Sequence, residues 1–292
     1  MVALIISADD YGQSAAIDQA IVALIRQGRL TATSCMSLSP RWPSAAKLLT
    51  AEVRRMADIG LHLDFTQYSQ TLRHQHPQLV MRSLLRSLDK QQIRANIAQQ
   101  LDSFEAALDA PPDYVDGHQH VHQLPQIRDL LLQELQARYE GQLPWIRISR
   151  PQGDGLKGNI IAALGAKRMQ QQARARGFRT SDLLLGVYGF DQGLPDYGMK
   201  LQRWLNIAKI EAEQGRQAAL MCHPGMSAES EDVVRESDNQ QYKIDAVTDP
   251  IAQARPMEYQ ALSSLAFGEM LQNLAIHPER GSRMLKVIQD RH

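Results

Sequence analysis

The feature that most constrains the fold is a regular alternation of short apolar runs with amphipathic segments. Val2–Ala8 is a largely apolar, β-branched run, as expected for a strand that is buried on both faces. Ser14 is placed to cap a helix that would end at Gly28, and the apolar residues between them repeat at helical spacing. Because strand and helix then alternate along the chain, the sequence predicts a parallel sheet covered by helices.

The alternation accounts for seven strands and the helices between them. The predicted strands are Val2–Ala8, Thr33–Leu38, Ile59–Leu63, Tyr114–Val115, Trp145–Ile148, Asp182–Val187 and Ala218–Cys222. The predicted helices are 14–28, 43–49, 91–108, one that starts at Pro125, 159–175 and 200–214. The fold class is therefore α/β, and the pattern alone leaves open whether the sheet is flat or closed into a barrel.

The predicted organisation is a single domain over residues 1–292, because no linker and no internal repeat divides the chain. Residues 64–88 are polar at first and then helical, and we interpret them as an insertion or lid. Residues 225–255 form a long, polar, acid-rich loop. Polar clusters follow the predicted strands at their carboxyl ends, where both barrels and open α/β sheets carry their sites.

Composition excludes several classes of protein. The 292 residues contain 32 Lys and Arg against 32 Asp and Glu, and this balance argues against a nucleic-acid partner. Cys35 and Cys222 lie in apolar runs, which favours buried thiols over a disulfide. The apolar start is short, lacks a preceding basic region and ends in two carboxylates. We therefore expect no signal peptide, no membrane partner and a cytoplasmic location.

The first polar cluster is the pair Asp9 and Asp10, directly after the first strand. Two adjacent carboxylates at the end of a buried strand are costly unless positive charge compensates them. A turn that leads into a helix N-terminus explains the pair without any function. The functional interpretation places one carboxylate on a metal ion and makes the other a general base, since neighbours in an extended chain point to opposite sides.

The strongest signal is the run DGHQHVH, which begins at Asp116. If this run is extended, Asp116, His118, His120 and His122 share one face. Imidazole is the commonest protein ligand for metals, and a nearby carboxylate can fix its tautomer through the second nitrogen. Three imidazoles cannot all reach one ion from here, so we expect one ligand and further contacts around it. The alternative is an exposed polar strand.

Three further polar residues stand at or near strand ends. His62 lies in GLHLD, where a buried core histidine is the simpler explanation. His223 ends an apolar strand in LMCHPG and is interpreted either as a general acid or base, or as a buried strand cap. Arg147 alternates with apolar neighbours in WIRI. It would point into a barrel and pair with Asp9, or outward between helices.

Taken together, these segments favour a catalytic metal site. One carboxylate and two imidazoles from separate strand ends suit a divalent ion that keeps open positions for water. Such a ligand set can bind zinc, and water-rich sites also suit magnesium, so the sequence does not distinguish between Zn²⁺ and Mg²⁺. The chain contains no HExxH, P-loop or GxSxG motif, which disfavours P-loop nucleotide binding and serine hydrolysis.

At these residues the chain resembles the YdjC-like carbohydrate deacetylases, the family of chitooligosaccharide and hopanoid-associated deacetylases. The matching segments are ISADDYG at 6–12, IGLHLDFT at 59–66, YVDGHQHVHQLPQI at 114–127 and LMCHPG at 220–225, in the family's order. The resemblance implies a distorted (β/α) barrel of about seven parallel strands, similar to the polysaccharide deacetylases. The predicted strand count agrees with this.

The resemblance also implies roles for individual residues. Asp10, His62 and His118 would hold one divalent metal ion. Asp9 would be the general base and His223 the general acid, although adjacency alone would allow Asp9 and Asp10 to exchange roles. The remaining site residues would orient the base or contact the substrate or the metal ligands: Arg147, Tyr11, Asp116, His120 and His122.

The predicted function is removal of an N-acetyl group from a small amino sugar, either a monosaccharide or an oligosaccharide. Aromatic residues make up 5% of the chain, and a few stacking rings such as Tyr188 and Phe190 would favour a small substrate over a long polymer. The alternative is that these aromatic residues only pack the core. The alternative is a metal-dependent barrel hydrolase that cuts another amide or a phosphoester. A sugar-binding protein without activity is a third hypothesis. The oligomeric state is left open, with a homo-oligomer among the options.

Overall fold

A parallel sheet of seven strands curls into a distorted barrel, and helices pack around its outer face. The computed structural model describes residues 1–152, 162–190, 193–227 and 249–285. The strands in these ranges are β1 (Val2–Tyr11), β2 (Ala32–Cys35), β3 (Asp58–Leu63), β4 (Tyr114–Gly117), β5 (Trp145–Ile146), β6 (Leu183–Leu185), β7 (Ala218–Cys222) and β8 (Ile276–Pro278). Their order is β5-β4-β3-β2-β1-β7-β6, and β8 pairs with the start of β1. The predicted α/β barrel is confirmed.

The barrel closes between β5 and β6 through irregular bonds instead of a regular ladder. The Ile146 N–H donates to the Arg179 carbonyl at 2.9 Å, and the Ile146 carbonyl accepts from the Ser181 N–H at 3.2 Å. Further along, the Leu184 N–H donates to the Arg150 carbonyl at 3.0 Å. The two edges of the curled sheet are thus joined by a few bonds, which distorts the barrel at this seam.

A layer of helices covers the outside of the strands, and the main apolar core lies between the two layers. The helices are α1 (Ala15–Arg26), α2 (Trp42–Ala45), α3 (Ala51–Met56), α4 (His76–Leu84), α5 (Lys90–Leu108), α6 (Ile127–Arg138), α7 (Ala166–Ala175), α8 (Leu194–Glu213), α9 (Ala254–Ser263), α10 (Leu265–Asn273) and α11 (Gly281–Met284). As predicted, the Ser14 hydroxyl caps the first helix by accepting the Ile17 N–H. Within the described ranges, no helix has the length and apolar character needed to span a bilayer.

The inward faces of the strands change from apolar to polar along the barrel axis. In β1, Ile5, Ser7 and Asp9 lie two positions apart and share one face. Ile5 packs with Tyr114 in an apolar layer near the start of the strands. The Ser7 hydroxyl is 2.9 Å from the Tyr114 hydroxyl, and Asp9 pairs with Arg147 one step further along. The polar layer therefore lies at the carboxyl ends, where the sequence places the site.

The histidine-rich run is not extended beyond its first residues, so the condition under which its polar residues would share one face is not met. β4 ends at Gly117, and His118–Gln123 forms a 3₁₀ helix in which Gln119 and His120 have φ of 51° and 62°. A Cβ at position 117 would lie 2.8 Å from the His122 nitrogen, so glycine allows the chain to fold back here. The four polar residues of the run therefore do not share one face.

Several predicted boundaries also shift. β1 continues past its apolar run to Tyr11, and its pairing register with β2 shifts between Ala8 and Tyr11, around Asp10 with φ 67°. α8 begins six residues before the predicted start at 200, at Leu194. The first residues of the predicted helix 159–175 lie outside the described part of the chain, as do residues 228–248 of the polar loop.

The chain after α10 closes the end of the barrel where the strands begin, and the sequence analysis did not predict this closure. Asp58, at the start of β3, accepts hydrogen bonds from Trp145 Nε1 at 2.9 Å, Arg280 Nε at 2.7 Å and the Ser282 N–H at 2.7 Å. Leu285 packs into the apolar layer inside the barrel. This closed end lies opposite the polar layer.

Candidate active site

A cavity of about 1050 Å³ opens at the carboxyl ends of the strands. The polar side chains at its centre come from the ends of β1, β3 and β7 and from the turn after β4. They are Asp9, Asp10, His62, His118 and His223. The structure thus brings together the five residues to which the sequence analysis assigned metal binding and proton transfer, although the chain separates them by up to 214 positions, from Asp9 to His223.

The two carboxylate oxygens of Asp10 face different partners. Oδ1 lies 3.1 Å from His118 Nδ1 and 3.4 Å from His62 Nε2. Oδ2 accepts a hydrogen bond from Arg255 Nη2 at 2.7 Å. Burial alone would raise the pKa of Asp10, but Arg255 and the two histidines hold it well below its usual value. Asp10 is therefore ionised at neutral pH, with one oxygen directed toward the imidazoles.

These three residues fit a divalent metal ion. One donor atom from each of Asp10, His62 and His118 lies within 4.8 Å of the other two, and an ion among them would have one oxygen and two nitrogen ligands. Asp9, His62 and Asp116 form a second group of this size. Its two carboxylates are already engaged by one arginine, so the first group is the better metal site.

His62 is oriented by contacts on its far nitrogen. Its Nδ1 lies 2.6 Å from Asp116 Oδ1 and 3.0 Å from the Ser34 hydroxyl, so Nε2 faces Asp10. Burial opposes protonation, but the charges of Asp116 and Asp9 outweigh it and raise the pKa of His62. At neutral pH, Nε2 accordingly carries either a proton or, at the same place, a metal ion.

Asp9 is held by a fully buried arginine. Arg147 donates from Nη1 and Nη2 to the two oxygens of Asp9, each at 2.6 Å, and Nη2 lies 2.8 Å from Asp116 Oδ2. The inward position that the sequence offered as one alternative for Arg147 is the one observed. The pairing fixes the plane of the Asp9 carboxylate, and its Oδ2 lies 4.0 Å from His62 Nε2.

His223 directly follows β7 and approaches this group from that strand end. Its Nε2 lies 3.9 Å from Asp9 Oδ2, and its ring packs edge-on against Phe190 with centroids 5.2 Å apart. Its backbone N–H donates to Glu258 Oε2 at 2.6 Å. His223 Nδ1 is buried and has no hydrogen-bond partner among the described residues. The imidazole is thus held in place through its backbone and its ring face, while Nε2 faces Asp9.

The other residues that the sequence assigned to the site lie at different depths. His120 lines the cavity and its Nδ1 lies 2.9 Å from the Ser149 hydroxyl, which leaves Nε2 available to a ligand. His122 is fully buried and donates from Nε2 to the Arg147 carbonyl at 2.9 Å. Asp116 is also fully buried, beneath His62.

One assignment needs correction. Tyr11 is fully buried, and its hydroxyl donates to the Ala45 carbonyl at 2.8 Å. It does not line the cavity, because the left-handed Asp10 ahead of it turns the chain and directs the tyrosine ring into the helical layer. Tyr11 therefore packs the core under the site and is not placed to contact a substrate.

Sequence reasoning missed two residues that reach the site from α9. Arg255 contacts Asp10, and Glu258 accepts hydrogen bonds from the His223 backbone and from the Tyr188 hydroxyl, the latter at 2.6 Å. In the sequence they are charged residues of an amphipathic helix, a pattern that normally indicates a solvent-facing surface. No motif marks them, and their position follows from how α9 docks on the barrel.

Comparison with known proteins gives relatives that span most of this chain. A carbohydrate deacetylase from Mus musculus is 27% identical over 246 residues, which cover 77% of this chain and 78% of the relative. A chitooligosaccharide deacetylase from Yersinia enterocolitica is 25% identical over 238 residues, covering 76% of this chain and 81% of the relative.

A solved structure has the same fold. A candidate cellobiose-phosphate cleavage protein from Enterococcus faecalis superposes with a TM-score of 0.68 at 17% identity, over 98% of this chain and 99% of that one. At this identity the likeness concerns the fold alone. The family model described as YdjC-like protein matches residues 3–273, which include every residue of the site. The chain therefore belongs to the YdjC-like protein family.

Proposed function

We propose that this protein is a metal-dependent hydrolase that removes an N-acetyl group from a small amino sugar. The observation that carries the proposal is the arrangement in one cavity of Asp10, His62 and His118 beside Asp9 and His223. It offers a metal ligand set, a carboxylate and an imidazole within a few ångströms of each other. The deacetylase names of the relatives support the same chemistry.

Each residue can be given a step in amide hydrolysis. A divalent ion such as Zn²⁺ or Mg²⁺, held by Asp10, His62 and His118, would supply Lewis-acid polarisation of the acetamide carbonyl and a water of lowered pKa. Asp9, oriented by Arg147, accepts the proton of the attacking water. His223 donates a proton to the departing amine, which is otherwise a poor leaving group. His120 is placed to hydrogen-bond the substrate through Nε2.

The size and lining of the cavity support a substrate of one to a few sugar rings. A volume of about 1050 Å³ is at the upper end of typical small-ligand sites, which run from roughly 300 to 1000 Å³. Tyr188 and Phe190 supply aromatic surface on one wall, with their ring centroids 4.5 Å apart. Other residues that line the cavity supply hydrogen-bonding groups, among them Thr66, Gln67 and Gln75.

We also propose that residues 64–88 act as a lid within a single catalytic domain. Residues 66–67 and 73–78 of this segment line the cavity, so the segment already forms one of its walls. Asp64 anchors the start of the segment by accepting the N–H groups of Thr66, Gln67 and Tyr68. Movement of the rest of the segment would open or cover the site without displacing the barrel.

The decisive experiment measures acetate release from a panel of N-acetylated mono- and oligosaccharides, in EDTA and after addition of Zn²⁺ or Mg²⁺. We expect release that EDTA abolishes and a metal restores. Asp9→Asn should retain sugar binding and lose turnover by about 10²–10⁴-fold. Asp113→Asn, at the closed end of the barrel, is the matched control and should retain activity.

The opposite outcomes separate the alternatives. No acetate with any metal, together with activity on a phosphoester panel, would assign the chain to a different class of metal hydrolase. Sugar binding without turnover of any substrate would indicate a binding protein. Unchanged turnover in Asp9→Asn would overturn the assignment of Asp9 as the base.

A further inference from the structure

Two buried charged residues on α9 face the site from one turn of the helix. Arg255 and Glu258 are three positions apart, so they lie on the same side of α9. Their exposed fractions are 4% and 0%. Charged side chains are costly to bury unless they are paired and hydrogen-bonded, so their burial needs specific partners. Each of them has partners in the candidate active site, and Glu258 also contacts the buried Tyr197 of α8.

Arg255 joins three parts of the chain through one guanidinium group. Nη2 donates to Asp10 Oδ2 at 2.7 Å, at the end of β1. Nε donates to Asp249 Oδ2 at 2.5 Å, in the segment before α9. Nη1 lies 3.5 Å from the His223 carbonyl, at the end of β7. The planar fork of arginine permits this geometry, whereas the single ammonium of lysine does not.

The contact with Arg255 determines which oxygen of Asp10 is available. With Oδ2 bound to Arg255, Oδ1 is the oxygen near His62 and His118. A carboxylate free to rotate could present either oxygen or both. Because Arg255 already binds Oδ2, Asp10 is oriented to ligate a metal ion through Oδ1 alone.

Glu258 performs a similar task for His223. Oε2 accepts the His223 backbone N–H at 2.6 Å, and Oε1 accepts the Tyr188 hydroxyl at 2.6 Å. His223 follows the last residue of β7, directly beyond the last pair of the ladder with β1, Ala8 and Cys222. The carboxylate thus fixes the backbone that carries the imidazole and, through Tyr188, the aromatic wall beside it.

We propose that Arg255 and Glu258 are positioning residues, with Arg255 setting Asp10 for one-oxygen ligation of the metal and Glu258 setting His223 for proton transfer. This inference rests on the proposed function for the site. A competing explanation is that Arg255 serves as a counter-charge for Asp10 and nothing more. The two explanations predict opposite effects on metal affinity, because removing a cation beside a divalent ion should by charge alone tighten binding.

The test for Arg255 is the affinity for Zn²⁺, measured without substrate by competition with a chromophoric chelator. Arg255→Met should bind Zn²⁺ about 10–100-fold more weakly than the wild type, the range typical for residues that orient metal ligands. Arg255→Lys keeps the charge and loses the fork, so its affinity should stay below that of the wild type. Arg280→Met removes an arginine paired with Asp58 at the closed end and should leave the affinity unchanged.

The role of Glu258 is tested by measuring whether its substitution lowers kcat without changing KM. Glu258→Gln keeps the shape of the side chain and should lower kcat by about 10–100-fold, because small displacements of a catalytic group cost this much. KM and Zn²⁺ affinity should stay close to those of the wild type. Glu211→Gln changes a buried carboxylate paired with Arg216 at the end of α8 and is the matched control.

The outcomes of these tests distinguish failure of this inference from failure of the proposed function. Unchanged or tighter Zn²⁺ binding in Arg255→Met, or wild-type Zn²⁺ affinity in Arg255→Lys, would show that Arg255 serves only as a counter-charge for Asp10. A wild-type kcat in Glu258→Gln, or a parallel loss of metal affinity, would overturn the role of Glu258. Wild-type protein that binds Zn²⁺ and releases no acetate would refute the proposed activity while the affinity test of Arg255 still stands.

Discussion

Arg147 is a fully buried cation between the carboxylates of Asp9 and Asp116. Removing one member of a buried charged group leaves the others uncompensated, which typically costs about 3–5 kcal/mol. Arg147→Met should therefore lower the free energy of unfolding by about this amount, as measured by urea denaturation. Arg26→Met, in an exposed pair with Glu52 at 3.8 Å, should change it by less than about 1 kcal/mol. Equal effects of the two substitutions would contradict the arrangement.

His122 should make stability depend on pH in the mildly acidic range. Burial, reinforced by Arg147 and opposed by Asp116, lowers the pKa of His122 from 6.5 to about 4. Because the folded state disfavours its protonation, the stability contributed by neutral His122 is complete above pH 6.5 and is lost as the pH falls toward 4. The loss amounts to about 3 kcal/mol by pH 4.

The check on His122 is a set of urea titrations of wild type and His122→Gln between pH 4 and pH 8, in EDTA. Glutamine retains a donor for the Arg147 carbonyl and does not titrate. The stability of the wild type relative to the variant should fall with decreasing pH. A difference that stays constant across this range would show that His122 is not the buried neutral group described here.

At the level of single residues, the sequence predicted those positions that strand periodicity makes visible. Arg147 stood out because a charge alternated with apolar neighbours, and Asp9 because two carboxylates followed a buried strand. Arg255 and Glu258 carry no such mark, since charged residues on an amphipathic helix normally face water. Their burial results from the docking of α9 on the barrel, which is a long-range property.

The packing of Tyr114, on β4, limits the size of the residue at position 60 of β3. A Cβ at this position of β3 would lie 2.4 Å from the Tyr114 ring, which stacks on Trp145 with centroids 4.3 Å apart. Glycine at this position thus allows the Tyr114 ring to approach the backbone of β3. Gly60→Ala should displace the ring and destabilise the fold by about 1–3 kcal/mol.

Gly198 provides the matched comparison in thermal unfolding. It lies in α8 with open space around the position of its missing Cβ. Gly198→Ala should stabilise the protein by up to about 1 kcal/mol, because alanine favours helix. A destabilising Gly198→Ala would contradict the helical geometry, and a neutral Gly60→Ala would contradict the close packing of Tyr114.

The histidine-rich run shows where pattern reading fails at the scale of elements. Alternating polar residues have the period of a strand, and local pattern reading cannot distinguish this from a turn that uses left-handed residues. Gln119 and His120 adopt that conformation at a modest local cost, and the tertiary fold holds them there. The predicted ligand His118 nevertheless lies beside Asp10, because it directly follows the end of β4.

For the whole molecule, the structure separates the end that stabilises the barrel from the end that carries the site. Asp58 and His62 stand at opposite ends of β3, roughly 13 Å apart at about 3.3 Å per residue. Asp58→Asn breaks the pair with Arg280 and should cost about 3 kcal/mol of unfolding free energy. The Zn²⁺ affinity of the folded variant should equal that of the wild type. A large loss of affinity would show that the two ends are coupled.

The overall architecture was largely predictable because alternation of strands and helices reports directly on a parallel sheet. The seven strands of the curled sheet correspond to the seven predicted runs, with shifted ends. Closure of the barrel was not predictable, since it depends on the bonds around Ile146 and Leu184 between distant segments. The closure of the other end of the barrel by the segment that contains Arg280 and Leu285 is likewise not marked by any local sequence pattern.

The left-handed residues around the cavity have a consequence for protein engineering. Asp10, Gln119, His120 and Phe190 all have positive φ without being glycine, and all four line the cavity. Each such residue costs on the order of 1 kcal/mol. Selection for thermal stability alone should therefore enrich glycine at these positions and yield variants that are more stable and less active. Stabilising substitutions are better sought at the closed end of the barrel, around Arg280 and Leu285, away from the candidate active site.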